Sequence, residues 1–222
     1  DVLIFILGAI FMAAHWTTYF YALKLSNVAL GMLSLYTFPV ITALLEPLFI
    51  KTKFNPIHIV LGLLVLLGIY ILAPDFNLES NHVKGIILGV ISALCYSLRI
   101  LIMKQHIARY NGTMLMFYQV LFITILLAPL LLFLDTSGIK TQYPFVLLLA
   151  LLTTAIGHTL MVRKLTYFSV STASIISSIQ PIFGIVLAFF FLNEIPTLNT
   201  FFGGLLILST VVIESIRSKK TK

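Results

Sequence analysis

Charged side chains are scarce in this sequence. Asp, Glu, Lys and Arg make up 9% of its 222 residues, whereas hydrophobic residues make up 60%, and the mean hydropathy is +1.10. About a quarter of the residues in a typical soluble domain are charged, because most of its surface faces water. The composition therefore excludes a soluble domain and predicts a polytopic membrane protein.

Several functional motifs are also missing. The sequence has no G-x-x-x-x-G-K-[ST] loop for nucleotide hydrolysis, no H-E-x-x-H or paired-cysteine metal site, and no G-x-S-x-G hydrolase elbow. Its single cysteine, Cys95, excludes a disulfide within the chain. We therefore expect no enzymatic activity, no cofactor and no metal, and a concentration gradient must supply any energy.

Apolar runs between polar breaks predict an all-α fold with eight transmembrane helices. A bilayer core of about 30 Å needs roughly 20 helical residues, and the breaks carry ordinary turn residues such as "LSN", "YNG" and "DTSG". The predicted spans are Val2–Leu25, Val28–Ile50, Pro56–Ala73, Val83–Tyr110, Thr113–Leu134, Tyr143–Leu165, Ser169–Leu192 and Thr197–Ile216.

The loop charges predict the orientation of these spans. If the tail "RSKKTK" is cytoplasmic, every inner loop carries two or more Lys or Arg residues, whereas only Lys24, Lys84 and Lys140 fall outside. We expect an integral protein of a bacterial cytoplasmic (inner) membrane with its C-terminus in the cytoplasm. The net charge of +7 does not indicate a nucleic-acid partner, since no basic stripe interleaves with aromatic residues.

A shift of 142 residues superimposes the last three predicted helices on the first three without a gap. Pro39 falls on Pro181, and "GLLVL" from Gly62 falls on "GLLIL" from Gly204. The second unit has five predicted helices, and an odd number per unit means that the two copies face opposite ways across the membrane. The first copy shows only three helices, which predicts that this chain holds helices 3–10 of a ten-helix inverted-repeat protein.

The segments "YALKLSNVALGMLSLYTFPVITALL" and "LTYFSVSTASIISSIQPIFGIVLAFFFLNEIPTLNTFFGGLLIL" resemble the paired EamA domains of the drug/metabolite transporter superfamily. The resemblance implies two inverted five-helix repeats around a central cavity, and export or exchange of small metabolites such as amino acids. It assigns 1–74 to the last three helices of the first repeat, 83–217 to the second repeat and 218–222 to a basic tail. Glu194 supplies the acidic exit "NE" in the second copy, whereas the first copy departs from the pattern, because the repeat partner of Glu194 is Thr52.

Two charges lie inside predicted spans. With a rise of 1.5 Å per residue, Glu46 lies ~6 Å from the inner end of its helix, and Arg99 lies ~24 Å down a core of ~30 Å. Both therefore fall in the inner third, where Arg99 could pair with Glu46. The alternatives are that Arg99 snorkels to the inner surface beside a Glu46 near head-group water, or that Glu46 couples transport to protons.

Other polar residues are candidates to line a substrate cavity. His15 and His158 fall at mirrored depths and could bind an anionic group or a proton, or could simply bond a backbone carbonyl. Gln180 is a candidate because a buried amide needs partners. The hydroxyls nearby are candidates for substrate contact or for helix packing, and they are Ser174, Ser177 and Ser178.

Aromatic residues and prolines complete the candidate site. Aromatic walls with a few polar groups suit a metabolite, although aromatic residues near span ends also anchor helices at the interface. The remaining wall candidates are Trp16, Tyr19, Tyr36, Tyr96, Tyr118 and Gln119. Pro39 and Pro181 near the midplane are candidate hinges or simple shape features. Gly85, Gly89, Gly203 and Gly204 are typical of helix packing.

These features favour a secondary transporter with a small-molecule substrate, working by alternating access. A channel or structural membrane subunit is the alternative, but a channel should line its path with polar rings, and the polar residues here are scattered. An integral-membrane lipid enzyme would need a cluster of histidines or carboxylates near one surface, which the sequence does not show.

Overall fold

The computed structural model describes residues 2–50, 54–72, 77–106, 109–133, 137–164, 177 and 180–220, and all regular structure in these ranges is helical. The described α-helices are α1 (Val2–Leu25), α2 (Val28–Leu35), α3 (Phe38–Phe49), α4 (Ile57–Leu72), α5 (Asn81–His106), α6 (Gly112–Leu127), α7 (Ile139–Leu149), α8 (Thr159–Lys164), α9 (Gln180–Leu192) and α10 (Leu198–Lys220). A 3-10 helix, Ala128–Leu132, extends α6, and a π-helix, Ala150–His158, joins α7 to α8.

The all-helical fold class is confirmed in the described residues. Five helical segments are long and apolar enough to cross a membrane, and they are Leu3–Leu25, Val28–Phe49, Asn81–His106, Gly112–Leu132 and Ile139–Arg163. Three shorter apolar helices, Ile57–Leu72, Gln180–Leu192 and Leu198–Glu214, overlap the other predicted spans. The count of eight spans stays a prediction, because residues 169–176 and 178–179 lie outside the described ranges.

The predicted span Val28–Ile50 consists of two helices rather than one. α2 ends at Leu35 and α3 begins at Phe38, so Pro39 is the second residue of a helix and not a kink inside one. Proline lacks an N–H and disfavours helical geometry in the residue before it, so the first helical turn is where it fits best. The break at Tyr36–Thr37 interrupts the helix near the middle of the span.

The described part of α9 runs from Gln180 and includes Pro181, the repeat partner of Pro39. Residues 178–179 lie outside the described ranges, so these ranges do not define where this helix begins. The 142-residue repeat stays a prediction.

Helix α5 lies at the centre of the packing and contacts α1, α2 and α3. Small residues allow the close approach to α2. A Cβ on Gly85 would lie 2.6 Å from the Cβ of Ser26, and one on Gly89 would lie 2.1 Å from Ser34 Oγ. The predicted packing role of both glycines is confirmed.

Helices α4 and α10 form a second packed pair. A Cβ on Gly203 would lie 2.8 Å from the backbone oxygen of Gly68, and one on Gly204 would lie 2.7 Å from the side chain of Leu33. These glycines are packing positions, as expected. α10 continues to Lys220, beyond the predicted span end at Ile216.

Candidate functional site

The centre of the candidate site is Tyr96 of α5, which is buried between several rings. Its ring centroid lies 4.7 Å from that of His15 on α1, 4.9 Å from Phe38 on α3 and 6.4 Å from His158. The hydroxyl of Tyr96 contacts the sulfur of Met161 on α8 at 3.0 Å. Residues from opposite ends of the sequence therefore meet at one aromatic cluster.

His15 is held in place by Ser92 of α5. The Nδ1 atom of His15 lies 2.7 Å from Ser92 Oγ and 3.3 Å from the Ser92 carbonyl oxygen. The Ser92 hydroxyl donates in turn to the backbone oxygen of His15 at 3.0 Å. Since that hydroxyl proton is already used, the network assigns a proton to Nδ1 of His15, and the opposite ring nitrogen of the neutral side chain is left as an acceptor.

The second predicted histidine lies against the same cluster. The ring of His158, at the end of the π-helix, is 6.0 Å from that of Trp16 on α1. Tyr19 stacks on the other histidine, His15, with centroids 6.2 Å apart. The structure thus brings together both histidines and three of the predicted aromatic wall residues.

Tyr36 and Gln180 connect the two halves of the chain. Tyr36 lies in the break between α2 and α3, and its hydroxyl donates to Oε1 of Gln180 on α9, at 2.5 Å. Tyr36 is buried, whereas Gln180 is exposed in this conformation. Ser177 is half-buried, and the neighbouring candidates Ser174 and Ser178 lie outside the described residues.

Arg99 does not pair with Glu46, so the predicted ion pair is wrong in this structure. Its Nε and Nη2 atoms both donate to Oε1 of Gln119 on α6, at 3.2 and 2.9 Å, and Nη2 also lies 3.6 Å from Met116 Sδ. Its guanidinium carbon is 5.8 Å from the Tyr96 ring centroid. The side chain is only 1% exposed, so it does not snorkel to the surface either. The depth of Arg99 in the membrane stays a prediction, and its side chain faces α6.

Glu46 instead interacts electrostatically with titratable residues of α4, α5 and α10. Its electrostatic neighbours are His58 of α4, Glu214 of α10 and Lys104 of α5. His58 Nε2 lies 3.2 Å from Glu214 Oε1, and Arg217 lies 3.8 Å from the other oxygen of Glu214. The available signal was that Glu214 is a carboxylate inside an otherwise apolar predicted span.

The acidic exit residue Glu194 has a structural partner. Its Oε2 atom accepts a hydrogen bond from the backbone N–H of Val28 at 2.9 Å, at the N-terminus of α2. The side chain of Asn27 caps the same helix end by accepting from Leu30 N at 2.8 Å. A carboxylate at a helix N-terminus is favourable because the free N–H groups and the helix dipole are positive there. Thr52, the repeat partner of Glu194, lies outside the described residues.

The described ranges hold no group of three or more His, Cys, Asp or Glu side chains that is placed to bind a metal ion. The polar and aromatic groups of the Tyr96 cluster are instead suited to reversible contact with a small organic molecule.

Comparison with known proteins places this chain in a family. The model of the EamA-like transporter family matches residues 2–73 and 83–216. An uncharacterized transporter of Archaeoglobus fulgidus is 26% identical over 210 residues, which is 92% of this chain and 73% of the relative. An S-adenosylmethionine uptake transporter of Rickettsia conorii is 37% identical over 93 residues, covering 40% of this chain and 32% of the relative.

The fold has a counterpart among solved structures. One crystal structure shares 17% sequence identity and superimposes with a TM-score of 0.68, over 99% of this chain and 77% of the other. The relatives are named as transporters and not as enzymes, in agreement with the expected lack of enzymatic activity. The chain belongs to the EamA-like transporter family and is part of an integral membrane transporter.

Proposed function

We propose that the protein is a secondary transporter that exports small metabolites, such as amino acids, across the cytoplasmic membrane by alternating access. The observation that carries the proposal is the contact between Tyr36 and Gln180, which joins the break between α2 and α3 in the first half to α9 in the second. Secondary transporters of inverted-repeat type bind their substrates at such helix breaks near the midplane. Export is the direction that the family resemblance implies.

In this proposal the substrate cavity lies around the Tyr96 cluster. Its wall is formed by His15, Tyr36, Tyr96, Arg99, Gln119, His158, Ser177 and Gln180. Pro39, in the first turn of α3, and Pro181 of α9 act as hinges. Residues 1–74 hold the last three helices of the first repeat, and residues 83–217 form the second repeat of five helices. The tail 218–222 is cytoplasmic, and these helices correspond to helices 3–10 of a ten-helix protein. Glu46 is the proposed site of proton coupling, because it is a carboxylate inside an otherwise apolar span.

The test is counterflow in liposomes that contain the full-length protein. Labelled amino acids and S-adenosylmethionine, which carries the same amino and carboxylate groups, are screened for exchange with preloaded solute, with and without a pH gradient. We expect saturable exchange that Gln180→Ala abolishes. The matched control is Gln142→Ala, which removes an exposed glutamine of α7.

Each result separates the candidate functions. Non-saturable flux would favour a channel, and folded protein without exchange of any solute would contradict the proposal. Loss of pH-driven accumulation in Glu46→Gln, with counterflow retained, would support proton coupling. Net efflux faster than net uptake, measured in vesicles of defined orientation, would support export.

A further inference from the structure

The Arg99 guanidinium is a buried cation whose hydrogen-bonding partners are neutral. The side chain is 1% exposed and is among the largest fully buried side chains in the described residues. Three of its five N–H groups point at the amide oxygen of Gln119 and the thioether sulfur of Met116. Neither acceptor carries a charge that could neutralise the guanidinium.

No carboxylate of the described chain reaches Arg99. Glu214 is engaged with His58 and Arg217, Glu194 accepts from Val28 N, and the other two described acids are Glu46, in the cluster of His58 and Lys104, and the exposed Glu79. The titratable groups that interact with Arg99 are Tyr96, His15 and His158. None of these side-chain types is negatively charged at neutral pH.

The remaining donor capacity lies on Nη1. Within the described residues, the two N–H groups of this nitrogen have no hydrogen-bond partner. A buried charge normally occurs with a counter-charge, because the low-dielectric interior penalises an isolated ion. A buried arginine without a fixed counter-charge is therefore suited to an anion that binds and dissociates.

We infer that the transported molecule carries a carboxylate, which binds to Arg99 and neutralises it. This inference rests on the proposed transporter function and names its substrate class. One guanidinium balances one carboxylate, whereas a phosphate monoester carries nearly two negative charges and would need a second fixed cation. The aromatic rings of Tyr96 and His15 beside the guanidinium then accommodate the uncharged part of the molecule.

A purely structural role for Arg99 makes a different prediction. If the guanidinium serves to tie α5 to α6 through Gln119, its removal should destabilise the empty protein. If it serves an incoming anion, replacement by an apolar residue of similar length should leave the ligand-free protein at least as stable, because the desolvated charge is gone.

The experiment compares wild type, Arg99→Met and Arg163→Met, which removes an exposed cation at the end of α8. Purified full-length protein is titrated with L-amino acids and with the matching amino-acid amides, in which a neutral group replaces the carboxylate. Fluorescence of Trp16, the single tryptophan of the 222 residues, reports binding, since its ring contacts His158 in the cluster. Thermal melting of the ligand-free protein is measured in parallel.

We expect wild type and Arg163→Met to bind an acid at least about 10-fold more tightly than its amide, and Arg99→Met to lose that preference. We also expect the melting temperature of Arg99→Met to equal or exceed that of wild type. Equal binding of acids and amides by wild type, failure of every acid to bind, or a lower melting temperature of Arg99→Met with unchanged acid binding would overturn the inference.

Counterflow in the same preparations keeps the two proposals apart. If amides are exchanged as fast as acids, the proposed transporter function stands, and the inference that the substrate needs a carboxylate is rejected. Acid binding that depends on Arg99, without exchange, would retain the anion site and reject the transporter function.

Discussion

The hydroxyl of Tyr36 and the side-chain carbonyl of Gln180 lie 2.5 Å apart and join two segments that are remote in the sequence. Tyr36 lies in the break between α2 and α3, and Gln180 belongs to α9. In an alternating-access cycle the two halves move against each other about the site. A single hydrogen bond between them is weak enough to form and break in each cycle.

Replacement of Tyr36 by phenylalanine tests this contact. The ring stays in place and only the hydroxyl is lost, so we expect a nearly unchanged melting temperature. Counterflow should slow by about 5-fold, which corresponds to the roughly 1 kcal/mol of one neutral hydrogen bond. Tyr70→Phe on α4 is the control, because the Tyr70 side chain is exposed. Equal rates for both variants would show that the contact has no part in transport.

The link between α4 and α10 predicts an effect on stability. Glu214→Gln keeps the shape of the side chain but removes the charge that faces His58 and Arg217. We expect the free energy of unfolding to fall by about 1 kcal/mol and the melting temperature by about 2–4 °C. Glu79→Gln is the matched control at an exposed position. If both variants have the same melting temperature, the ion pair makes no measurable contribution to stability.

The contact between α2 and α5 can be tested at Gly89. Gly89→Ala would place a methyl group 2.1 Å from Ser34 Oγ, and overpacking of this kind costs about 1–3 kcal/mol. Gly138→Ala is the control, since nothing lies within 4 Å of its added Cβ. We expect a clear drop in melting temperature for Gly89→Ala alone, and partial recovery in Gly89→Ala/Ser34→Gly. If Gly89→Ala has the melting temperature of wild type, α2 and α5 can move apart at no measurable cost in stability.

Two variants of Glu194 distinguish the effect of its charge from that of its hydrogen bond to Val28. Glu194→Ala removes the acceptor for Val28 N and should cost about 0.5–2 kcal/mol. Glu194→Gln keeps an acceptor and should lose only the interaction with the helix dipole, about 0.3–1 kcal/mol. Chemical denaturation of the two variants measures which of them loses more free energy of unfolding. Equal losses, or none, would contradict the cap.

The one-dimensional sequence determined the class of this protein. Scarce charge and long apolar runs leave a helical membrane protein as the solution, because each backbone polar group must be bonded within its own helix in lipid. The glycines of α5 and α10 likewise indicated helix packing, because a residue without a side chain lets two helix backbones approach closely.

The tertiary structure decided which side chains meet. Depth along a helix follows from residue counting and placed Arg99 and Glu46 in the same layer, but the direction of a side chain depends on how neighbouring helices rotate. That rotation turned Arg99 toward Gln119 and left Glu46 beside the His58–Glu214 pair. It likewise brought Tyr36 to Gln180 and both histidines to Tyr96, contacts between distant segments that no local pattern encodes.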